Sequence, residues 1–285
     1  MKKIDWSAVD SIIQLALDED LGEEDITTAG TVDPNTLGEA RIVAKRPCVI
    51  AGLFMVERVY RLLLPGQFKV QLAATEGQRV SAGTLLCTVI GPCAGLLAGE
   101  RTVLNFLQRM CGIANETARF VRAVRSTAAS IFDTRKTAPG HRALDKYAVR
   151  AGGGCNHRMG LHDAVLIKEN HIEAAGGVEN ALKRLQKRYP GVTVEIEVED
   201  FEQLVYAVEY GADIVLLDNM RPDQVKHAVK LVGNRVQLEV SGGITLKTAG
   251  AMADTGVQRI SVGALTHSVK GADLSMLIES RGDQK

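Results

Sequence analysis

The spacing of hydrophobic and polar positions changes along the chain, and each change predicts a different element. Over residues 7–17, Val9, Ile12, Ile13, Ala16 and Leu17 recur at helical spacing, and an acidic turn at 18–25 ends the pattern. Between 38 and 92 the runs GEARIVAKRPCVIAG, FKVQLAATEGQRV and TLLCTVIGP are short, rich in Val, Ile and Thr, and divided by Gly and Pro, so they predict strands. Residues 93–125 return to a helical period. Val103, Leu104, Leu107, Met110 and Cys111 make an apolar face there, with Arg101, Asn105 and Gln108 on a polar one.

From 131 onward strand-like runs alternate with amphipathic segments. The runs are SIFDTRK, DAVLIK, VTVEIEVE, ADIVLLD, VQLEVS and RISVG, and helices are predicted at 142–151, 175–189, 200–210, 222–232 and 245–253. Alternation of this kind implies parallel βαβ units. Lys136, Lys168, Glu197, Asp218, Ser241 and Gly263 all fall at or near the C-terminal ends of their runs. One polar group per unit, always at the same end, is how a barrel builds a site on its C-terminal face. A doubly wound sheet would concentrate its ligand at one switch point instead. Six units are too few for a closed eight-stranded barrel, so an incomplete, about six-stranded parallel α/β barrel is expected.

The run VTVEIEVE carries the strongest chemical signal. Alternation sets Val192, Val194, Ile196 and Val198 on one face and Glu195, Glu197 and Glu199 on the other. Helices cover the outside of a parallel barrel, so the carboxylates are expected to face its interior, where they need cations or a metal. An edge strand with a solvated acidic face is the alternative. Arg135 and Lys136 in DTRKTAPG, and His157, Arg158, Lys168 and His171 in GGGCNHRMGLHDAVLIKENH, supply cations suited to a polyanionic ligand. The loops VSGGI and SVGALTHS follow the last two runs and offer main-chain N–H groups to a phosphate. Between cradle and cations, Glu197 and Asp218 suit ribose hydroxyls or Mg²⁺. Together these favour transfer of a phosphorylated sugar with electrostatic stabilisation. His162 and His227 have no such placement and are read as non-catalytic.

Composition narrows the partners. The 285 residues carry 34 Lys and Arg against 34 Asp and Glu, which argues against broad attraction to nucleic acid or an anionic membrane. The sum conceals segregation: residues 131–170 hold seven Lys and Arg against four Asp and Glu, while 191–220 hold eight acids and no Lys, Arg or His. No run approaches the about 18 apolar residues of a membrane span, and MKKIDWS lacks the apolar core of a signal peptide, so the cytoplasm is expected. The five cysteines, Cys48, Cys87, Cys93, Cys111 and Cys155, form no C-x-x-C and read as reduced thiols.

The segments ALDEDLGEEDITT, ERTVLNFLQRMCGIAN, DTRKTAPG, KYAVRAGGGCNHRMGLHDAVLIKENH, EIEVE, LLDN, SGGI and VGALTHS occur in an order that resembles the quinolinate phosphoribosyltransferases, the carboxylating nicotinate-nucleotide pyrophosphorylases of NAD biosynthesis. Two positions depart from the family pattern: His141 after Pro-Gly, where an apolar residue is commoner, and Glu169 in place of Asp. The resemblance implies an α/β fold with an N-terminal α/β sandwich domain, residues 1–112, before the α/β barrel domain, residues 113–269, with residues 270–285 returning to the first, and a homodimer or higher homo-oligomer whose site is completed by Arg101 of a neighbouring copy. It implies that quinolinate sits among Arg101, Arg135, His157, Arg158 and Lys168, with Thr134 a further substrate-binding residue. Lys136 would serve phosphoribosyl pyrophosphate, with Mg²⁺ as cofactor. Glu197 and Asp218 would hold the ribose hydroxyls and order the metal, directly or through water or substrate, so that Lys136, Glu197 and Asp218 are the catalytic set. Ser241, Gly242, Gly243, Val262, Gly263, Ala264 and His267 would receive the 5′-phosphate.

Other readings of the same residues stay open at this point. A related phosphoribosyltransferase could take nicotinate or another acid, and a barrel aldolase would use Lys136 or Lys168 as a Schiff base. TEGQRVSAGTLLCTV is similar to the turn of biotinyl and lipoyl carrier modules, although no modifiable Lys sits at a hairpin tip.

Overall fold

The computed structural model describes residues 4–281. The chain opens with α1 (Trp6–Leu21), α2 (Ile26–Thr31), β1 (Leu37–Ala44), β2 (Cys48–Val49), α3 (Phe54–Leu63), β3 (Lys69–Leu72), β4 (Arg79–Val80), β5 (Leu85–Pro92) and the long α4 (Cys93–Val124). It continues with β6 (Ser130–Phe132), α5 (Arg142–Ala151), β7 (Val165–Ile167), α6 (Glu169–Ala175), α7 (Val178–Arg188), β8 (Val194–Val198) and α8 (Phe201–Glu209). Then come β9 (Ile214–Asp218), α9 (Pro222–Val232), β10 (Gln237–Ser241), α10 (Ala249–Ala253), β11 (Arg259–Ser261), α11 (Ala264–His267) and β12 (Leu274–Ser280). Among the described residues no helix is long and apolar enough to cross a membrane.

Two compact units emerge. The first runs to Glu116 and takes in Ala138–Gly153 and the chain from Val269; the second holds Thr117–Thr137 and Gly154–Ser268. The first unit is built on an antiparallel sheet in the order β12-β1-β5-β3. Gly38, Ala40, Ile42 and Ala44 of β1 are buried on one face, the period-2 pattern of a half-covered strand. Helix α3 is a departure from the sequence reading, which gave residues 38–92 to strands alone. Its buried Met55, Val56, Val59 and Tyr60 follow a helical period, so the covering helix interrupts the strand succession. α3 and α4 approach closely because α4 presents Gly95 and Gly99. A Cβ at Gly99 would lie 2.6 Å from Tyr60 Cε1, and the Tyr60 hydroxyl donates to the Leu96 carbonyl at 2.9 Å. α5 is tied to α4 by a bidentate pair, Arg109 Nε and Nη2 to the buried Asp145 carboxylate at 2.9 and 2.7 Å.

The second unit is an all-parallel sheet in the order β6-β11-β10-β9-β8-β7, with β6 and β7 at its edges. This is the incomplete six-stranded α/β architecture expected from the alternating runs. α7, α8 and α9 bury Leu182, Leu204 and Val225 in its core. The helix predicted at 175–189 begins three residues later as α7, and the short α6 before it was not predicted; Gly176 and Gly177 separate the two with φ angles of 79° and 116°, which only glycine adopts at low cost. The helix predicted at 245–253 shortens to α10. β8 is also shorter than VTVEIEVE, which leaves Val192 and Glu199 exposed outside it. The physical reason at its end is the start of α8: Asp200 caps the Gln203 N–H, and the Glu199 N–H turns to Gln203 Oε1.

Candidate functional site

Strand register decides which side chains meet in the second unit. Because side chains alternate with a period of two, one register fixes the parity of every neighbouring strand. Glu197 pairs with Leu216, Leu216 with Glu239, and Glu239 with Arg259, while Asp218 pairs with Ser241 one pleat further on. Side chains of this parity line a cavity of about 400 Å³: Leu166, Lys168, Glu197, Leu216, Asp218, Glu239, Ser241 and Ser261. Thr134, Arg135 and Lys136 reach it from the loop after β6, and His157 and Arg158 from the segment before β7. Lys136, Lys168, Glu197, Asp218, Ser241 and Ser261 lie near or just past the C-terminal ends of their parallel strands, the end at which such folds place their ligands.

The cavity has a cationic and an anionic wall. Lys168 Nζ pairs with Glu197 Oε2, and the Lys168 N–H donates to His171 Nδ1 at 3.0 Å. Burial raises the Asp218 carboxyl above the ordinary range, and the charge of Glu197 adds to this; Lys168, the Asn219 amide and Lys136 oppose it. Burial, followed by the charge of Arg135, lowers the Arg158 guanidinium from its ordinary value. Two guanidiniums that repel one another in a part-buried cavity are stabilised by an anion between them.

Loop anchors hold these groups in place. Asp133, fully buried, accepts the His157 N–H at 2.9 Å and the Asn156 amide at 2.5 Å. Thr134 Oγ1 accepts the Lys136 N–H, and the Lys136 carbonyl accepts the Thr266 hydroxyl. Gly263 leaves room for the Lys136 side chain and His267: a Cβ there would lie 3.3 Å from Lys136 Cδ and 3.1 Å from His267 Cδ2.

A largely buried polar cluster shares His157, Glu239 and Ser261 with the cavity wall. His157 Nδ1 accepts the Arg158 N–H at 2.8 Å, so its proton sits on Nε2, 3.0 Å from Glu195 Oε2. Glu239 accepts Arg259 Nε at 2.6 Å and the Ser261 hydroxyl at 2.5 Å. Burial and the charge of Glu195 push the Glu239 carboxyl up. His157, Glu195 and Glu239 have the donor types of a metal centre, but Arg259 and Ser261 already engage both oxygens of Glu239.

Of the residues singled out in the sequence, Thr134, Arg135, Lys136, His157, Arg158, Lys168, Glu197, Asp218 and Ser241 share the cavity wall. Gly242, Gly243, Val262, Gly263, Ala264 and His267 belong to the loops beyond β10 and β11 and are not part of that wall. Arg101 is exposed on α4. His162 and His227 lie outside the wall, and His227 packs edge-on against Phe201. His141 stacks on Phe106 in the first unit. Sequence reasoning missed Glu239, Arg259 and Ser261; the i, i+2 spacing of Glu239 to Ser241 and of Ser261 to Gly263 was the available signal. A second, larger depression of about 810 Å³ is mainly apolar, runs along β7, α6 and α7, and shares Arg158 and Leu166 with the polar cavity. The convergent charges mark the smaller cavity as the candidate site.

Comparison with known proteins gives a consistent picture. Residues 25–111 match the family model of the quinolinate phosphoribosyl transferase N-terminal domain, and residues 113–277 that of the C-terminal domain. The chain is 44% identical over 259 residues to the probable nicotinate-nucleotide pyrophosphorylase (carboxylating) of Bacillus subtilis, covering 90% of this chain and 89% of the relative. It is 42% identical to the nicotinate-nucleotide pyrophosphorylase (carboxylating) of Mycobacterium leprae, covering 95% and 98%. The solved nicotinate-nucleotide pyrophosphorylase of Francisella tularensis superposes with a TM-score of 0.93 at 36% identity, covering 97% of this chain and 98% of that one.

Proposed function

The chain belongs to the quinolinate phosphoribosyltransferase family, and from that premise we infer how its own residues carry the reaction. The enzyme transfers the phosphoribosyl group of phosphoribosyl pyrophosphate to the ring nitrogen of quinolinate and releases pyrophosphate and CO₂, leaving nicotinate mononucleotide. The observation that carries the assignment of roles is the two-walled cavity, with Arg135, Lys136, Arg158 and Lys168 on one side and Glu197 and Asp218 on the other. Arg135 and Arg158 fork the substrate carboxylates, and their mutual repulsion is relieved when a dianion enters. Lys136 lies against the departing pyrophosphate.

Glu197 and Asp218 hold the ribose hydroxyls, and their charge favours the cationic character that develops at the anomeric carbon. The pyridine nitrogen attacks that carbon as the pyrophosphate bond breaks. The ring then carries a positive charge, which withdraws electrons from C2. The C2 carboxylate leaves as CO₂, its bonding pair stays on C2, and a proton replaces it. Main-chain groups of Ser241–Gly243 and Val262–Ala264, with His267, receive the 5′-phosphate. The Asp218 carboxyl, raised by burial and by the charge of Glu197 beside it, suits a divalent cation. Glu197 and Asp218 would hold Mg²⁺, which supplies neutralising charge for the pyrophosphate.

The competing lysine chemistry is not favoured, since Lys168 is ion-paired with Glu197 and a Schiff base needs a neutral amine. The active form is a homodimer in which Arg101 of a second copy adds a cation. In support, the apolar depression beside Arg158 exposes Leu161 at 73% and runs along the edge strand β7. The test is release of CO₂ and pyrophosphate from quinolinate, phosphoribosyl pyrophosphate and Mg²⁺. In the same assay Arg158→Ala should raise the KM of quinolinate by about tenfold or more, the loss of one charge-assisted contact, with a much smaller change for phosphoribosyl pyrophosphate. Equal losses for both would remove Arg158 from its role.

A further inference from the structure

Asn219 follows Asp218 at the end of β9 and is the only non-glycine with a positive φ, 53°, among the described residues. A left-handed residue is disfavoured for side chains in general and tolerated best by asparagine. Here the main-chain N–H and the side-chain amide are both turned toward residues of the site. Its main-chain N–H donates to the Ser241 carbonyl at 3.0 Å, one residue beyond the Asp218–Ser241 pair, which carries the β9–β10 pairing into the loops. Its amide Nδ2 donates to Asp218 Oδ2 at 2.6 Å. Its amide oxygen lies over Gly242: a Cβ there would sit 2.1 Å from Asn219 Oδ1 and 2.6 Å from Cγ, and Gly242 has φ 90°.

We propose that Asn219 is a positioning residue that clamps the Asp218 carboxylate to the Ser241–Gly243 turn, so that the sugar-facing carboxylate and the phosphate-facing loop keep one fixed separation. The left-handed backbone aims the amide nitrogen back at Asp218 while its oxygen closes on Gly242. Neither neighbour residue type can be changed freely. Aspartate at 219 would set a second carboxylate against Asp218, and any side chain at 242 would displace the amide. Because both clamped parts bind the same substrate, loss of the clamp weakens phosphoribosyl pyrophosphate and leaves quinolinate, held by the cationic wall, little changed. The inference rests on the roles given above to Asp218 and the Ser241–Gly243 loop.

The test is Asn219→Gly, since glycine takes the same φ without strain and removes only the amide. The KM of phosphoribosyl pyrophosphate should rise about tenfold, the loss of one hydrogen bond to a charged group, with the KM of quinolinate within about twofold. Thermal unfolding should stay near that of the unaltered chain, which separates positioning from folding. A second readout is non-multiplicative: Gly242→Ala should raise the KM of phosphoribosyl pyrophosphate by a smaller factor in the Asn219→Gly background than alone, because the clash with the amide is gone. An unchanged KM in Asn219→Gly, equal rises for both substrates, or strictly multiplicative effects would each overturn the clamp. Asp218→Asn separates the layers: if it too leaves the KM of phosphoribosyl pyrophosphate unchanged, the role of Asp218 has failed and not the clamp alone.

Discussion

At the scale of the residue, the site is assembled at some expense to the fold. Asp218 is the clearest case. Its carboxyl lies above the ordinary value of 3.8 through burial and the charge of Glu197. A carboxylate whose folded pKa is raised destabilises the folded state above that raised value, and the penalty fades as pH falls toward the unfolded value. Asp218→Asn should therefore be more stable than the unaltered chain at pH 7 while losing activity. The gain, below about 1 kcal/mol after solvent screening, should shrink as pH falls toward 3.8. Denaturant titrations at the two pH values check this, and a variant that is less stable at pH 7 would refute it. The acidic face was legible in VTVEIEVE for Glu195 and Glu197, which turn inward, but not for Glu199, which lies exposed beyond the end of β8. Their partners left a weaker signal: Glu239 stands singly in VQLEVS, and Arg259 and Ser261 belong to a three-residue strand, so only the i, i+2 spacing to Ser241 and Gly263 pointed to the site. What joins them is register, a property of pairs of strands.

At the scale of the element, hydrophobic period was a good guide to the helices with long apolar faces. α4 and α9 appear within a residue of the expected bounds because their apolar faces are long and uninterrupted. α3 was hidden because ten residues of helical spacing lie between strand-like runs, and its partner face on α4 is recorded only by Gly95 and Gly99. Those glycines, four apart, act as a recess for Leu64 and Tyr60. Gly99→Ala would force a Cβ to within 2.6 Å of the Tyr60 ring and 3.0 Å of Leu63, and overpacking of this kind should destabilise by about 1–3 kcal/mol. Gly30 in α2 provides the opposite control. It is exposed, and a Cβ there would meet nothing within 4 Å. Gly30→Ala should gain up to about 1 kcal/mol from helix propensity alone. Urea unfolding of the two variants should move their midpoints in opposite directions; a Gly99→Ala midpoint that does not fall would mean that the α3–α4 approach is not tight.

At the scale of the whole molecule, a neutral chain conceals a charged site because its two signs are segregated along the sequence and then folded toward one cavity. The cationic loops after β6 and before β7 meet the acidic ends of β8 and β9. The residue proposed to complete that cavity comes from elsewhere: Arg101 sits exposed on α4, and the edge strand β7 leaves an apolar depression uncovered. If a second copy supplies Arg101, then Arg101→Ala and Lys136→Ala damage the same site from different chains. Each variant alone should be nearly inactive. In a mixed dimer one site receives the intact Lys136 of the first chain and the intact Arg101 of the second, and the other site receives neither. Equal amounts of the two variants, unfolded and refolded together, give mixed dimers as half of the population, so about one quarter of the unaltered activity should return for a two-fold assembly. Separate refolding followed by brief mixing should return almost none, because subunits must exchange first. No recovery after joint refolding would place the whole site within one chain, and the apolar depression along β7 would then need another explanation.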